Sequence, residues 1–278
     1  MISIFDIFKI GIGPSSSHTV GPMKAAAAFA DLLNAENLDT QVARIVIEVY
    51  GSLALTGIGH GTFDALLLGL EGSLPHDIPL ADIPQRLERI RTQHVLKLNG
   101  REMAFNPEKD LDIRGDKVLP KHPNGLNFIA YHSDGLKLKE QIYYSVGGGF
   151  VVTDEGFAQE AQENADVPYP YKNCDELLAQ CRLNQLNISE VVLANEAALA
   201  GCDEVEVRRR VAAVADVMEN CIKRGLGAEG QLPGGLNVRR RAPQLAAKLK
   251  VLRESEIVNT QLWPMVYAMA VNEENAAG

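Results

Sequence analysis

Ser15, Ser16, Ser17, His18 and Thr19 follow one another inside a Gly/Ser/Thr-rich loop running from Gly11 to Pro22. An Ala-rich helix is expected directly after it, from about Met23 to Leu33. Unpaired backbone N–H groups at a helix N-terminus favour an anion, and neighbouring hydroxyls add donors. A carboxylate or a phosphate fits such a loop. The same residues also fit a capping loop in which Ser or Thr satisfies its own helix, and both readings stand at this point. Two familiar frames are excluded. Lys24 follows Pro22-Met23 and no G-K-[ST] occurs, so this is not a Walker loop. No G-x-S-x-G frames the serines, so it is not a hydrolase elbow.

His60 lies in Gly59-His60-Gly61, where flanking glycines supply no packing and allow close approach to a substrate. Histidine is the natural general base near neutral pH, although a lone loop histidine is more often a solvated side chain. His122, in Lys121-His122-Pro123-Asn124-Gly125, is a weaker case of the same kind. His76, His94 and His132 read as surface or turn residues. Arg239-Arg240-Arg241 follows the loop Leu232–Leu236. It reads either as a solvated face or as a forked donor for a carboxylate. Cys174, Cys181, Cys202 and Cys221 form no C-x-x-C pair, a weak signal for an iron–sulfur site. Cys181 and Cys221 fall on apolar helical positions. The four are expected to be reduced, mostly buried thiols of a cytosolic protein.

The elements that must position these groups change character along the chain. A strand is expected at Ile45–Tyr50, where Ile45, Ile47 and Val49 alternate with Val46, Glu48 and Tyr50. A Gly-rich turn at 56–62 leads to an apolar helix near Asp64–Leu70, and Asp82–Gln93 reads as an amphipathic helix. Strand signals dominate from His94 to Val152. The clearest hairpin runs from Asn127–His132 through Ser133-Asp134-Gly135 to Leu136–Tyr144. Gly147-Gly148-Gly149 predicts a bulge or a close backbone approach. The polar stretch 155–172, with Pro168 and Pro170, reads as a domain boundary. Beyond it the pattern is helical: one helix capped by Asn173 through Cys181, one capped by Ser189, one at 203–224 stopped by Gly225 and Gly227, then 242–255 and 258–276. The expected organisation is an α+β domain over 1–155, a linker over 156–172, and the start of an all-α domain over 173–278.

A chain of 278 residues, 46% apolar and 23% charged, is ordinary globular material. Its net charge of −9 argues against general binding to nucleic acid or anionic membrane, both of which reward clustered Lys and Arg. No apolar run reaches the roughly 18 residues of a membrane span, and the N-terminus lacks a basic leader region.

Several of these stretches resemble the signatures of one family. Ile10–Met23 resembles the opening signature of the bacterial iron–sulfur L-serine dehydratases, Tyr50–Gly57 with His60 a second motif, Tyr143–Phe150 a third and Val271–Gly278 a fourth. The resemblance implies an N-terminal α+β domain similar to the small-acid-binding regulatory domain of phosphoglycerate dehydrogenases, followed by an all-helical catalytic domain carrying a [4Fe–4S] cluster. It implies a cytoplasmic homodimer acting on L-serine, with no PLP, no nucleic acid and no membrane partner. One open iron would act as a Lewis acid on the serine hydroxyl while a base removes the α-proton; aminoacrylate then hydrolyses to pyruvate and ammonia. By the same resemblance His60 is the base and His18 a second catalytic residue. Ser15, Ser16, Ser17, Thr62, His122, Asn124 and Arg240 or Arg241 contact the substrate. The family's cluster cysteines lie beyond the stretch matched by Asn272–Gly278, and none of the four cysteines here corresponds to them. The expectation is therefore a chain that lacks the cluster ligands and is inactive alone. The alternative is a small-acid sensor that uses the serine loop without chemistry.

Overall fold

The computed structural model describes residues 2–156, 166–232, 237–252, 255 and 257–277. The expected linker over 156–172 and the loop Leu232–Leu236 fall partly outside the described residues, and Gly278 falls wholly outside them.

The first part opens with a single turn, α1 (Ile4–Ile7), and the long helix α2 (Gly21–Ala35). Strand β1 (Arg44–Tyr50) then passes directly into α3 (Gly51–Thr56) and α4 (Thr62–Leu70). The segment expected as one helix at Asp82–Gln93 is a composite. It holds a 3-10 turn at Leu80–Asp82, α5 (Ile83–Glu88) with Pro84 in its first turn, and a π-helical turn at Arg89–Gln93 ending on left-handed His94. Next come β2 (Val95–Leu98), β3 (Arg101–Ala104), the short α6 (Pro107–Asp110), β4 (Leu111–Arg114), β5 (Gly125–Tyr131), β6 (Lys137–Gly147) and β7 (Phe150–Thr153). The five-stranded sheet has the order β4-β1-β5-β6-β7, while β2 and β3 form a separate ribbon. Every pairing in the larger sheet is antiparallel except β1 with β4. The register of β6 against β7 shifts between Ser145 and Gly147, just before the Gly147–Gly149 turn.

Period-two alternation sets the two faces of this sheet. Ile45, Ile47 and Val49 of β1 pair with Ala130, Phe128 and Leu126 of β5 on the inner face, all fully buried. α2 and α4 pack together and cover that face. Phe29 stacks on Phe128 at 5.2 Å, and Phe128 meets Tyr143 edge-on at 5.7 Å. The outer face carries the alternate residues, joined by hydrogen bonds. Tyr50 and Asn127 donate to Glu48, which also pairs with Arg114. Burial and the Glu48 hydrogen bond push the Tyr50 hydroxyl up to about 12.

From residue 174 the described elements are helices: α7 (Cys174–Asn184), α8 (Ile188–Ala200), α9 (Glu204–Gly227), α10 (Ala242–Lys250) and α11 (Trp263–Ala277). Asn173 caps α7 as expected, accepting from the Glu176 amide. α8 is capped by Asn187 in a reciprocal box with Glu190, so Ser189 lies inside the helix instead of at its start. Gly225 does not stop α9. A Cβ there would lie 2.4 Å from the Ala270 carbonyl, so this glycine lets α9 and α11 cross closely. The cysteines are less buried than expected: Cys221 is buried, Cys181 and Cys202 partly so, and Cys174 is exposed.

Among the described residues, Glu196 and Arg210 tie the first part to the helices, and Asn195 ties in the stretch that precedes them. Glu196 of α8, almost fully buried, accepts from the Ser3 hydroxyl at 2.7 Å and the Ile4 amide at 2.8 Å. The Arg210 guanidinium lies 4.2 Å over the Phe5 ring. The carbonyl and amide of Tyr169 are both bonded by the side chain of buried Asn195. Among the described residues no helix is long and apolar enough to cross a membrane.

Candidate functional site

The Gly/Ser/Thr loop is wound more tightly to the next helix than its sequence suggests. Ser15 caps it, its hydroxyl accepting from the His18 amide at 3.1 Å. Residues Ser16–Val20 then form a π-helical turn that runs straight into α2. The Ser15 carbonyl takes the amides of both Thr19 and Val20. Wide winding of this kind turns carbonyls out of the α ladder, and such turns are frequent at functional sites. Two of the carbonyls here are taken by hydroxyls from elsewhere. Ser145, fully buried at the end of β6, donates to the Ser17 carbonyl at 2.7 Å, and Thr62, fully buried at the start of α4, donates to the His18 carbonyl at 2.6 Å. Gly21 permits the first contact, since a Cβ there would fall 1.9 Å from the Ser145 hydroxyl.

The His60 loop is tied in return. Thr19, also buried, donates to the His60 carbonyl at 2.7 Å. Each threonine thus holds the backbone of the histidine in the opposite loop. The outcome is two imidazoles with centroids 4.9 Å apart and planes tilted by 39°. His60 Nδ1 lies 2.9 Å from the Thr56 carbonyl, which can only accept, so Nδ1 carries the proton of the neutral ring. Nε2 is then the basic nitrogen, and no described residue bonds it. His18 is held at both nitrogens: Ser17 Oγ is 2.9 Å from Nδ1 and Ser52 Oγ 2.9 Å from Nε2. Burial, and then the neighbouring His60, hold the His18 pKa below the usual histidine range.

A cavity of about 200 Å³ opens beside His60, walled by Ile12, Thr19, Gly59, Asp64 and Leu68, with Ala276 of α11 at its rim. That volume suits a small polar molecule. Asp64 pairs with Arg91 across the loop.

Ser15, Ser17, His18, His60 and Thr62 are therefore assembled in one place, and Ser16 is exposed in the same turn. The His122–Asn124 loop lies alongside. The Pro123 carbonyl accepts from the Ser52 amide at 3.3 Å, and the buried Asn124 side chain donates to the Ser145 carbonyl at 3.1 Å. His122 Nδ1 accepts from the Asn124 amide, which leaves Nε2–H as its donor. Gly51 allows this approach. It adopts φ +51°, and a Cβ would lie 2.4 Å from the Pro123 carbonyl.

The arginines stand apart from this group. Arg240 Nη1 donates to Glu274 at 2.6 Å, an ion pair mostly shielded from solvent, and Glu274 also takes Arg224. The Arg241 amide caps against Glu273, and its side chain lines a different cavity with Met265 and Met269. Arg240 approaches the serine loop only indirectly: Glu274 shares a small cavity of about 110 Å³ with Gly11, Gly13 and Cys221. Burial raises the Cys221 thiol pKa. Sequence reasoning names Thr19 in the loop but gives Thr19, Ser52 and Ser145 no role of their own. Ser52 carries a usable signal, a hydroxyl at a strand-to-helix junction after glycine. Ser145 carries none, because its role depends on where β6 ends against α2.

The serine dehydratase beta chain model matches residues 3–156, and the serine dehydratase alpha chain model residues 183–278. The L-serine dehydratase of Streptomyces coelicolor is 45% identical over 280 residues, covering all of this chain and 61% of that protein. L-serine dehydratase 2 of Escherichia coli is 44% identical over 283 residues, and the L-serine dehydratase of Haemophilus influenzae 42% over 284. The chain spans about 61% of the length of each of these relatives.

Proposed function

The chain belongs to the serine dehydratase family, and from that premise we propose that its site takes part in converting L-serine to pyruvate and ammonia, with His60 as the base that removes the α-proton. One observation carries this reading: Thr56 fixes the Nδ1–H tautomer of His60, leaving a basic Nε2 on a ring that lines a cavity of substrate size. The α-hydrogen of serine is weakly acidic, so the base must be neutral before it acts and tolerated as a cation afterwards. A neutral His18 beside it meets the second need, because a charged neighbour at 4.9 Å would oppose protonation of His60. Ser15, Ser16, Ser17, Thr62, His122 and Asn124 order the pocket and supply donors for the substrate carboxylate and hydroxyl. Arg240 would join them only by exchanging Glu274 for that carboxylate.

The [4Fe–4S] cluster implied by the family resemblance would supply a Lewis acid for the departing hydroxide. The residues described do not fit it. Among them no three His, Cys, Asp or Glu side chains come together as a metal site, and the four cysteines are spread from an exposed start of α7 to the buried face of α9. In this reading the cluster ligands are other residues. The reading extends to an N-terminal domain of the phosphoglycerate dehydrogenase regulatory type, an all-helical catalytic domain, and a cytoplasmic homodimer serving serine catabolism and gluconeogenesis.

The test is pyruvate release from L-serine by a chain of the relatives' full length, with and without His60→Ala. Loss on the order of 10² to 10⁴-fold is expected for removal of a general base. Near-normal turnover removes His60 from the mechanism. Serine binding without turnover in the parent chain supports the sensor alternative.

A further inference from the structure

His18 is the only imidazole described whose two nitrogens both face hydroxyls, and one of those hydroxyls belongs to Ser52, which has no part in the proton transfer assigned to His60. One donor order along this row gives the most hydroxyls both roles. Ser15 Oγ already accepts from the His18 amide, so its own proton is free to point at Ser17 Oγ, 3.4 Å away. Ser17 can then donate to His18 Nδ1, which leaves Nε2 as the protonated nitrogen, donating to Ser52 Oγ. In this order Ser15 and Ser17 both give and receive, whereas in the opposite order only Ser17 does, and hydroxyls that do both strengthen the bonds they join. The opposite order would have Ser52 donate to Nε2 and Nδ1–H donate to Ser17.

We propose that Ser52 is a positioning residue for the dehydratase site: by accepting from Nε2–H it holds His18 in one orientation and one tautomer, opposite to that of His60. The proposal deepens the reading of His60 as base and rests on it for its catalytic consequence, although the tautomer assignment does not. Ser52 is itself well placed for the task. Its amide is anchored on the Pro123 carbonyl and its carbonyl takes the Thr56 hydroxyl, so the residue that holds His18 and the residue that holds His60 lie one turn apart on α3. One short helix therefore sets both rings. Lowered basicity of His18 agrees with a ring kept neutral between two hydroxyls.

The test is long-range ¹H–¹⁵N spectroscopy on this chain with ¹⁵N-labelled histidine, in wild type, Ser52→Ala and Ser52→Thr. The wild type should show His18 as the Nε2–H form and His60 as the Nδ1–H form. Ser52→Ala should shift or average the His18 nitrogens while His60 and the circular dichroism spectrum stay unchanged, and Ser52→Thr should restore the wild-type pattern. An Nδ1–H form for His18 in the wild type, or His18 nitrogens unmoved by Ser52→Ala, overturns the proposal. In a full-length chain, Ser52→Ala should lower kcat about tenfold with KM nearly unchanged, and Ser52→Thr should recover it. A rise in KM alone would mean that Ser52 touches substrate directly, and overturns the positioning role. Absence of pyruvate release from the full-length parent would defeat the dehydratase reading, whereas the histidine spectra would still decide the role of Ser52.

Discussion

Burial lowers the affinity of the His18 ring for a proton, and the neighbouring His60 lowers it further. In the unfolded chain the same imidazole returns to its ordinary value of 6.5. Between the two values the unfolded state binds more protons, so this residue's share of stability is complete above pH 6.5 and declines as pH falls toward the lower folded value. Denaturant unfolding of wild type and His18→Gln at about pH 7.5 and about pH 5.5 checks this. The wild type should lose more stability on acidification than the variant. An equal loss in both would mean that His18 is not desolvated. Thr62 makes a second residue-scale case. Its hydroxyl is fully buried and donates to the His18 carbonyl at 2.6 Å. Thr62→Val keeps the shape and orphans that carbonyl, which should cost about 1–3 kcal/mol in urea unfolding. A cost near zero would show that another donor replaces it.

The elements bring these residues together, and their legibility in the sequence differs for physical reasons. α2, β1 and the β5–β6 hairpin follow from local patterns: an alanine-rich apolar face, strict alternation, and an Asp-Gly turn between strands. The π-helical turn does not, because it is stabilised by the hydroxyls of Thr62 and Ser145, both distant in sequence. The parallel pairing of β1 with β4 is likewise a long-range choice. Ser189 loses the cap of α8 to Asn187 because Glu190 completes the reciprocal box only with Asn187. Gly225 reads as a stop in the sequence, since a helical glycine required for interhelical contact looks the same in one dimension. As for the site, His60 and the serine loop each stand out alone. Their meeting depends on α2 packing against α4, which no motif encodes. Substitution tests the close crossings. Gly225→Ala should destabilise the chain by about 1–3 kcal/mol through overpacking against Ala270. The measurement is the urea midpoint at constant m-value, and an unchanged midpoint would show that α9 and α11 can separate without cost.

At the scale of the whole molecule, Glu196 connects the first turn of the chain to the helical part through two hydrogen bonds in a nearly dry setting. Glu196→Ala should speed amide exchange at Ile4 and its neighbours markedly while the five-stranded sheet exchanges as before. Exchange unchanged at Ile4 would mean that Phe5 beneath Arg210 suffices to hold the turn. The parallel pair of β1 and β4 has a further consequence, in the order of assembly. Everything from α3 to α6 is the crossover between those two strands, and His60 lies within it. Closing a connection of that length costs chain entropy before its contacts repay it, whereas the β5–β6 hairpin closes early. The two histidines face each other when α4 meets α2 within the core, so their pairing follows the packing of those helices and not the closing of β4 on β1.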